Sequence, residues 1–106
     1  MLRHNKFNAK QIKVGGLTFD SRKEFRRYGE LRLMERAGEI MDLVFHPRYS
    51  LDYNGHHITT YEADFSYKET KGLVNVVEDV KGFKTDVYKL KKKLMKAIHG
   101  IEVRET

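Results

Sequence analysis

The sequence predicts an α/β fold in which a mixed central β-sheet is flanked by two helices. Three observations lead there. A helix pattern with its own start and stop signals spans residues 21–38. Short apolar runs separated by turn signals fill residues 40–80. A second helix pattern, near residues 85–100, is followed by one last β-prone run, and a strand that follows a crossover helix can return parallel to an earlier one. The whole chain has 106 residues, a length that fits one domain.

Each element has a local reason. Gln11 to Val14 and Leu17 to Phe19 flank Gly15-Gly16 and predict a short hairpin. Ser21 is placed to cap a helix, and Glu24 three residues later completes a capping box. That helix runs to about Ala37 and ends at Gly38. Its apolar residues Phe25, Tyr28, Leu31, Leu33 and Met34 occupy more than one face, so cover on two sides is expected. Ile40 to Leu51 is extended, and Pro47 confines it to an edge or a bend. Asn54-Gly55 is a two-residue turn signal. His57 to Tyr67 reads as one strand, Lys68 to Gly72 as a turn, and Leu73 to Val80 as the most apolar strand. Thr85 caps a second helix from Asp86 to about His99. Val87, Leu90, Leu94, Ala97 and Ile98 form an apolar stripe at helical spacing on it. Gly100 ends it, and Ile101 to Arg104 is the last strand, expected parallel to Leu73–Val80.

Composition narrows the function classes. The net charge is +6, from 21 basic and 15 acidic residues. That balance favours a polyanionic partner, with nucleic acid ahead of a membrane surface. Residues 1–10 read as a basic N-terminal arm carrying Lys6 and Lys10, ahead of one domain over residues 11–106. A second basic block runs from Lys81 through Lys84, Lys89 and Lys92 to Lys96. No apolar run approaches the roughly 20 residues that cross a bilayer. No charged-then-apolar leader opens the sequence, so a cytoplasmic location is expected. The chain has no cysteine, which excludes disulfides and thiolate metal sites.

The chemistry concentrates in Val76-Val77-Glu78-Asp79-Val80-Lys81-Gly82. Strand alternation puts Asp79 and Lys81 on one face and Glu78 and Val80 on the other. Charges on an apolar strand need partners or a metal. A turn centred near Thr70–Lys71 would set Asp64 opposite about Val77, one step from Asp79. Glu62 would share the face of Asp64 as an accessory acid. Glu24 shares a helix stripe with Tyr28 and Leu31, from which it could reach the sheet. The alternatives for these residues are ordinary ones: helix capping for Glu24, a turn or surface role for Asp64, a cross-strand ion pair for Asp79 and Lys81. The paired His56-His57 points to opposite faces and does not suggest a shared metal.

The order Glu24, Asp64, Asp79-Val80-Lys81 resembles the signature of the PD-(D/E)XK nucleases, the restriction-endonuclease-like superfamily. Five segments resemble, more narrowly, a small phage- and prophage-borne group suspected of Holliday-junction or related endonuclease activity. They are Asn5–Lys10, Phe19–Glu24, Ala37–Ile40, Ala63–Phe65 and Val77–Thr85. The pattern departs at His46, where that group favours glutamine before proline. The resemblance implies a restriction-endonuclease-like core and Mg2+- or Mn2+-dependent hydrolysis of DNA phosphodiesters in phage recombination or replication, within the bacterial host cytoplasm. It implies Asp64, Asp79 and the Val80 carbonyl as metal ligands, with Glu24 completing the site directly or through water. Lys81 would orient or help deprotonate the attacking water. His46 and Glu78 are possible accessory residues. Lys6, Lys10, Lys84, Thr85, Lys89 and Lys92 would grip DNA, branched or at a junction, and a homodimer would cut two strands. The rival readings are a nicking, flap or end-processing nuclease of the same fold, a non-catalytic basic DNA-binding module, and a structural phage component.

Overall fold

A computed structural model describes residues 11–106. The basic arm expected at residues 1–10, with Lys6 and Lys10, lies outside the described residues. The chain opens with a hairpin of β1 (Ile12–Val14) and β2 (Leu17–Phe19), then α1 (Arg22–Arg36). Next come β3 (Ile40–Phe45), β4 (Arg48–Tyr53), β5 (His56–Glu62), β6 (Phe65–Glu69) and β7 (Val74–Asp79). Helix α2 (Asp86–Leu94) continues into a wider π turn at Met95–His99, and β8 (Arg104–Glu105) closes the chain. The central sheet has the order β3-β6-β7-β8. Its first three strands are antiparallel, and β8 runs parallel to β7, as a crossover helix predicts. The expected mixed sheet with two helices is present.

The sheet is covered on both faces. Alternation sends Val76 to one side and Val77 to the other. Val76, Phe65 and Tyr67 pack with Leu31 of α1 and Ile40. Val77 packs with Tyr88 and Met95 from α2 and the π turn, and with Leu51 and Tyr61 from a separate two-stranded sheet of β4 and β5. The Asn54-Gly55 turn joins those two strands, with both residues at positive φ (50° and 77°), as a type I′ turn requires.

The structure corrects the sequence reading in several places. The run His57–Tyr67 is not one strand; it breaks at Ala63-Asp64 into β5 and β6, which belong to different sheets. The break mirrors the one at His46-Pro47 between β3 and β4. Pro47 has no N–H to give the ladder. The chain bends there, and its partner bends with it: His46 N–H donates to the Asp64 carbonyl at 2.9 Å, and Ala63 N–H to the Pro47 carbonyl at 3.0 Å. The β6–β7 register also differs. Ser66 faces Val77 and Phe65 faces Glu78, so the ladder continues to Asp64 opposite Asp79. The turn sits later than expected because Gly72 and Leu73 supply its left-handed residues, with φ of 82° and 52°.

The helices also differ in detail. Helix α1 is covered on one side: Leu31 is buried, whereas Leu33 is 66% exposed. On α2 the inward face is led by Tyr88 and Met95, with Leu94 and Ile98 against them; Val87 and Leu90 face solvent. Tyr88 wins the inward position because its ring adds apolar area while its hydroxyl donates to Glu105 at 2.7 Å. The last strand is shorter and later than Ile101–Arg104, with Val103 buried just before it.

Glu78, offered by the sequence as an accessory acid, is a structural residue. It is fully buried on the α1 face of the sheet. Arg27 of α1 forks onto it with Nε at 2.7 Å and Nη2 at 3.0 Å. Tyr67 and Thr106 donate their hydroxyls to it as well. Burial pushes the Glu78 carboxyl up, but the bonds from Arg27 and Tyr67 outweigh it and hold it below the usual carboxylate range. Arg27→Ala would leave this charge buried with no cation. It is expected to cost roughly 3–5 kcal/mol in urea unfolding, and a loss below about 1 kcal/mol would show that Glu78 does not depend on Arg27.

Candidate functional site

The site forms where three chain segments meet at one end of the central sheet. The first is the start of α1. Ser21 accepts the Glu24 N–H at 3.1 Å, as an N-cap should. Glu24 reaches back to accept the Asp20 N–H at 3.1 Å, rather than that of Ser21. This bond and the inward-facing stripe leave Glu24 2% exposed. The second segment is the double break. It places His46 and Asp64 side by side, and His46 Nε2 lies 2.7 Å from Glu24 Oε1. An aromatic group of Phe19, Phe25, Tyr28, Phe45 and Phe65 wedges helix start and break together. The third is the end of β7, with Asp79, Val80 and Lys81.

The carboxylates converge. Asp64 and Asp79 are both buried, at 6% and 2% exposure. Asp79 accepts the Asp64 N–H at 3.2 Å, and Asp64 accepts the Val80 N–H at 2.7 Å. Tyr61 donates its hydroxyl to the other Asp79 oxygen. Burial first, and then the charge of Asp79, hold the Tyr61 phenol well above its usual range, so it stays a donor. Lys81 Nζ lies 3.6 Å from Asp79 and 4.0 Å above the Tyr88 ring. That ring fixes where the ammonium points. Burial pushes the Asp64 carboxyl up to about 8, with further lift from the charges of Asp79 and Glu24.

Asp20, Glu24, His46 and Asp64 each offer one donor atom, all within 4.8 Å of one another. The set is three hard carboxylates and one borderline imidazole, donors that fit a divalent cation. Asp79 borders this group through Asp64. Its near oxygens are engaged by Tyr61 and the Asp64 N–H, so Asp79 meets the cluster as a neighbour. The Val80 backbone lies against Asp64 through its N–H.

The remaining expected residues fall around this centre. Glu62 sits on β5, pairs with Arg48 at 3.2 Å, and lines a cleft of about 250 Å³ with Asp79, Lys81, Thr85 and Tyr88. Thr85 caps α2 by accepting the Tyr88 N–H at 3.1 Å. Lys84, Lys89 and Lys92 line a second groove of about 560 Å³ with Lys93 and Lys96. Lys84 and Lys92 are tethered there to Glu105, at 2.8 and 3.5 Å. The Lys84 bond, then that of Tyr88, and the Lys92 charge after them pull the Glu105 carboxyl down to about 2.

The chain belongs to the family described as "Protein of unknown function (DUF1064)", whose match covers residues 4–106. No curated protein and no solved structure matches the chain. Among the described residues, no helix is long and apolar enough to cross a membrane.

Sequence reasoning missed Asp20, Tyr61 and Tyr88. Asp20 had a signal: it sits one residue before the cap, beside a glutamate whose side chain turns back. The tyrosines had none, because their roles depend on the β4–β5 sheet and α2 converging on β7.

The raised Asp64 carboxyl has a pH consequence. Its folded value lies above the unfolded one of about 3.9. Across that window the folded state holds a proton that the unfolded state has lost, so stability falls as pH rises. In a chelator, the thermal midpoint of the wild type is expected to fall from pH 5 to pH 8 more steeply than that of Asp64→Asn. Parallel curves would show that Asp64 titrates normally.

Proposed function

We propose that the protein is a metal-dependent DNA endonuclease with a restriction-endonuclease-like core, acting on branched or junction DNA. The observation that supports this most is the meeting of the buried Glu24, Asp64 and Asp79, with the Lys81 ammonium 3.6 Å from Asp79 where those two residues line a cleft. Three carboxylates on distant parts of the chain have no structural need to share one pocket, and their mutual repulsion opposes folding.

Asp64 and Glu24, with His46 and Asp20, would hold Mg2+ or Mn2+, and Asp79 would lie beside them. Such an ion supplies Lewis acidity toward the scissile phosphate and lowers the pKa of coordinated water. The residues do the rest. Tyr61 locks the Asp79 rotamer. Tyr88 holds Lys81 over the cleft, where its ammonium can bind a phosphate oxygen or orient the attacking water. The lysine groove along α2 offers a sequence-independent grip on the phosphate backbone that weakens with salt. Among the described residues, no element presents a row of side chains suited to base edges, which favours recognition of DNA shape. Cutting both strands calls for two sites, which a symmetric dimer supplies. A host-cytoplasmic, phage-borne role fits the sequence resemblance.

A four-way junction and its linear arms, incubated with and without Mg2+ or Mn2+, test this reading. The wild type is expected to cut the junction only with metal. Asp79→Ala and Lys81→Ala are each expected to lose about 100-fold or more in rate while still binding DNA. Equal cutting of all substrates would point to a nicking or end-processing role. Binding without cleavage in any metal would replace the enzyme with a DNA-binding module.

A further inference from the structure

His46 adds a nitrogen donor to a group otherwise made of carboxylates. The ring is held from several directions. It stacks on Phe45 with centroids 3.8 Å apart and planes at 21°. Its side chain is only 16% exposed. Its backbone sits at φ 54°, a left-handed conformation that non-glycine residues adopt at a cost. The N–H bond to the Asp64 carbonyl keeps it there. The result aims Nε2 at Glu24 Oε1, 2.7 Å away, with one proton between the two atoms. A dication can replace that proton and take both atoms as ligands. The neighbouring acids carry charge that such an ion would offset. Glu24 and Asp64 accept neutral backbone N–H groups from Asp20 and Val80, while the Lys81 ammonium lies against Asp79.

The donor set discriminates between ions. Mg2+ demands oxygen ligands and gives up its waters reluctantly. Imidazole suits transition dications, and Mn2+ also suits carboxylates. We propose that His46 ligates the metal through Nε2 and that this mixed nitrogen–oxygen site selects Mn2+ over Mg2+. This inference rests on the divalent-cation reading above and goes beyond it by naming the preferred ion and the residue that sets the preference.

Pulsed electron paramagnetic resonance on the full chain loaded with Mn2+ alone reads the nitrogen directly. Calorimetric titrations with Mn2+ and with Mg2+ read the preference. The wild type is expected to show nitrogen coupling at the bound Mn2+ and to bind Mn2+ roughly ten-fold or more tighter than Mg2+. His46→Gln is expected to lose the coupling and most of that preference. His46→Asn serves as a second variant, because asparagine tolerates the left-handed backbone, and circular dichroism checks that both fold. Bound Mn2+ without nitrogen coupling in the wild type would overturn the inference and leave the cation site standing. Binding of neither ion would remove the cation reading itself. If both variants unfold, the wild-type coupling alone decides.

Discussion

Pro47 cannot donate to a β ladder, and that missing hydrogen bond determines where the acids meet. One long antiparallel pair, β3–β4 against β5–β6, has to bend where the proline falls. The bend is shared by Ala63-Asp64 on the opposite side, and two backbone bonds clamp it. Without it, Asp64 would continue an ordinary strand. With it, the Asp64 side chain turns toward the start of α1, and His46 lies alongside. The N-terminal end of α1 contributes its partial positive charge to the same spot, where Glu24 is already turned inward by its cap.

Strand β7 shows what the protein does with a buried acid it must simply tolerate. Glu78 and Asp79 are neighbours on opposite faces, and both are buried. Glu78 receives a forked guanidinium and two hydroxyls. Asp79 receives a phenol, a backbone N–H and an ammonium at 3.6 Å, and it faces Asp64 with Glu24 beyond. One face is neutralised; the other concentrates like charge. Buried charge costs several kcal/mol per ion when poorly compensated. An arrangement that keeps it is better explained by a ligand than by stability.

Much of this was legible in the sequence because the signals were local. Ser21 and Thr85 announced both helices, Asn54-Gly55 announced a hairpin, and alternation separated Asp79 from Glu78. The crossover helix announced the parallel final strand. Glu24, Asp64 and Asp79 were singled out from sequence and Asp20 was not, and the actual register sets Asp64 two residues further along β7 than expected, opposite Asp79. The rest depended on distant contacts. A strand that changes sheets at Ala63-Asp64 gives only a weak local sign, the β-poor run Glu62-Ala63-Asp64 between the β-prone Tyr61 and Phe65. The inward face of α2 turned on Tyr88 finding Glu105 and Lys81. Arg27 carries no local sign of its role, which exists only once α1 lies across β7.

The central claim is that the fold gathers Glu24, His46 and Asp64 into a place for one divalent ion, next to Asp79 and Lys81. Anomalous diffraction from crystals soaked in Mn2+ tests it most directly. The expected result is a single strong peak bonded to the Asp64 carboxylate and shared with Glu24 and His46. A folded protein with no peak there, or with Mn2+ only on scattered surface acids, would contradict it.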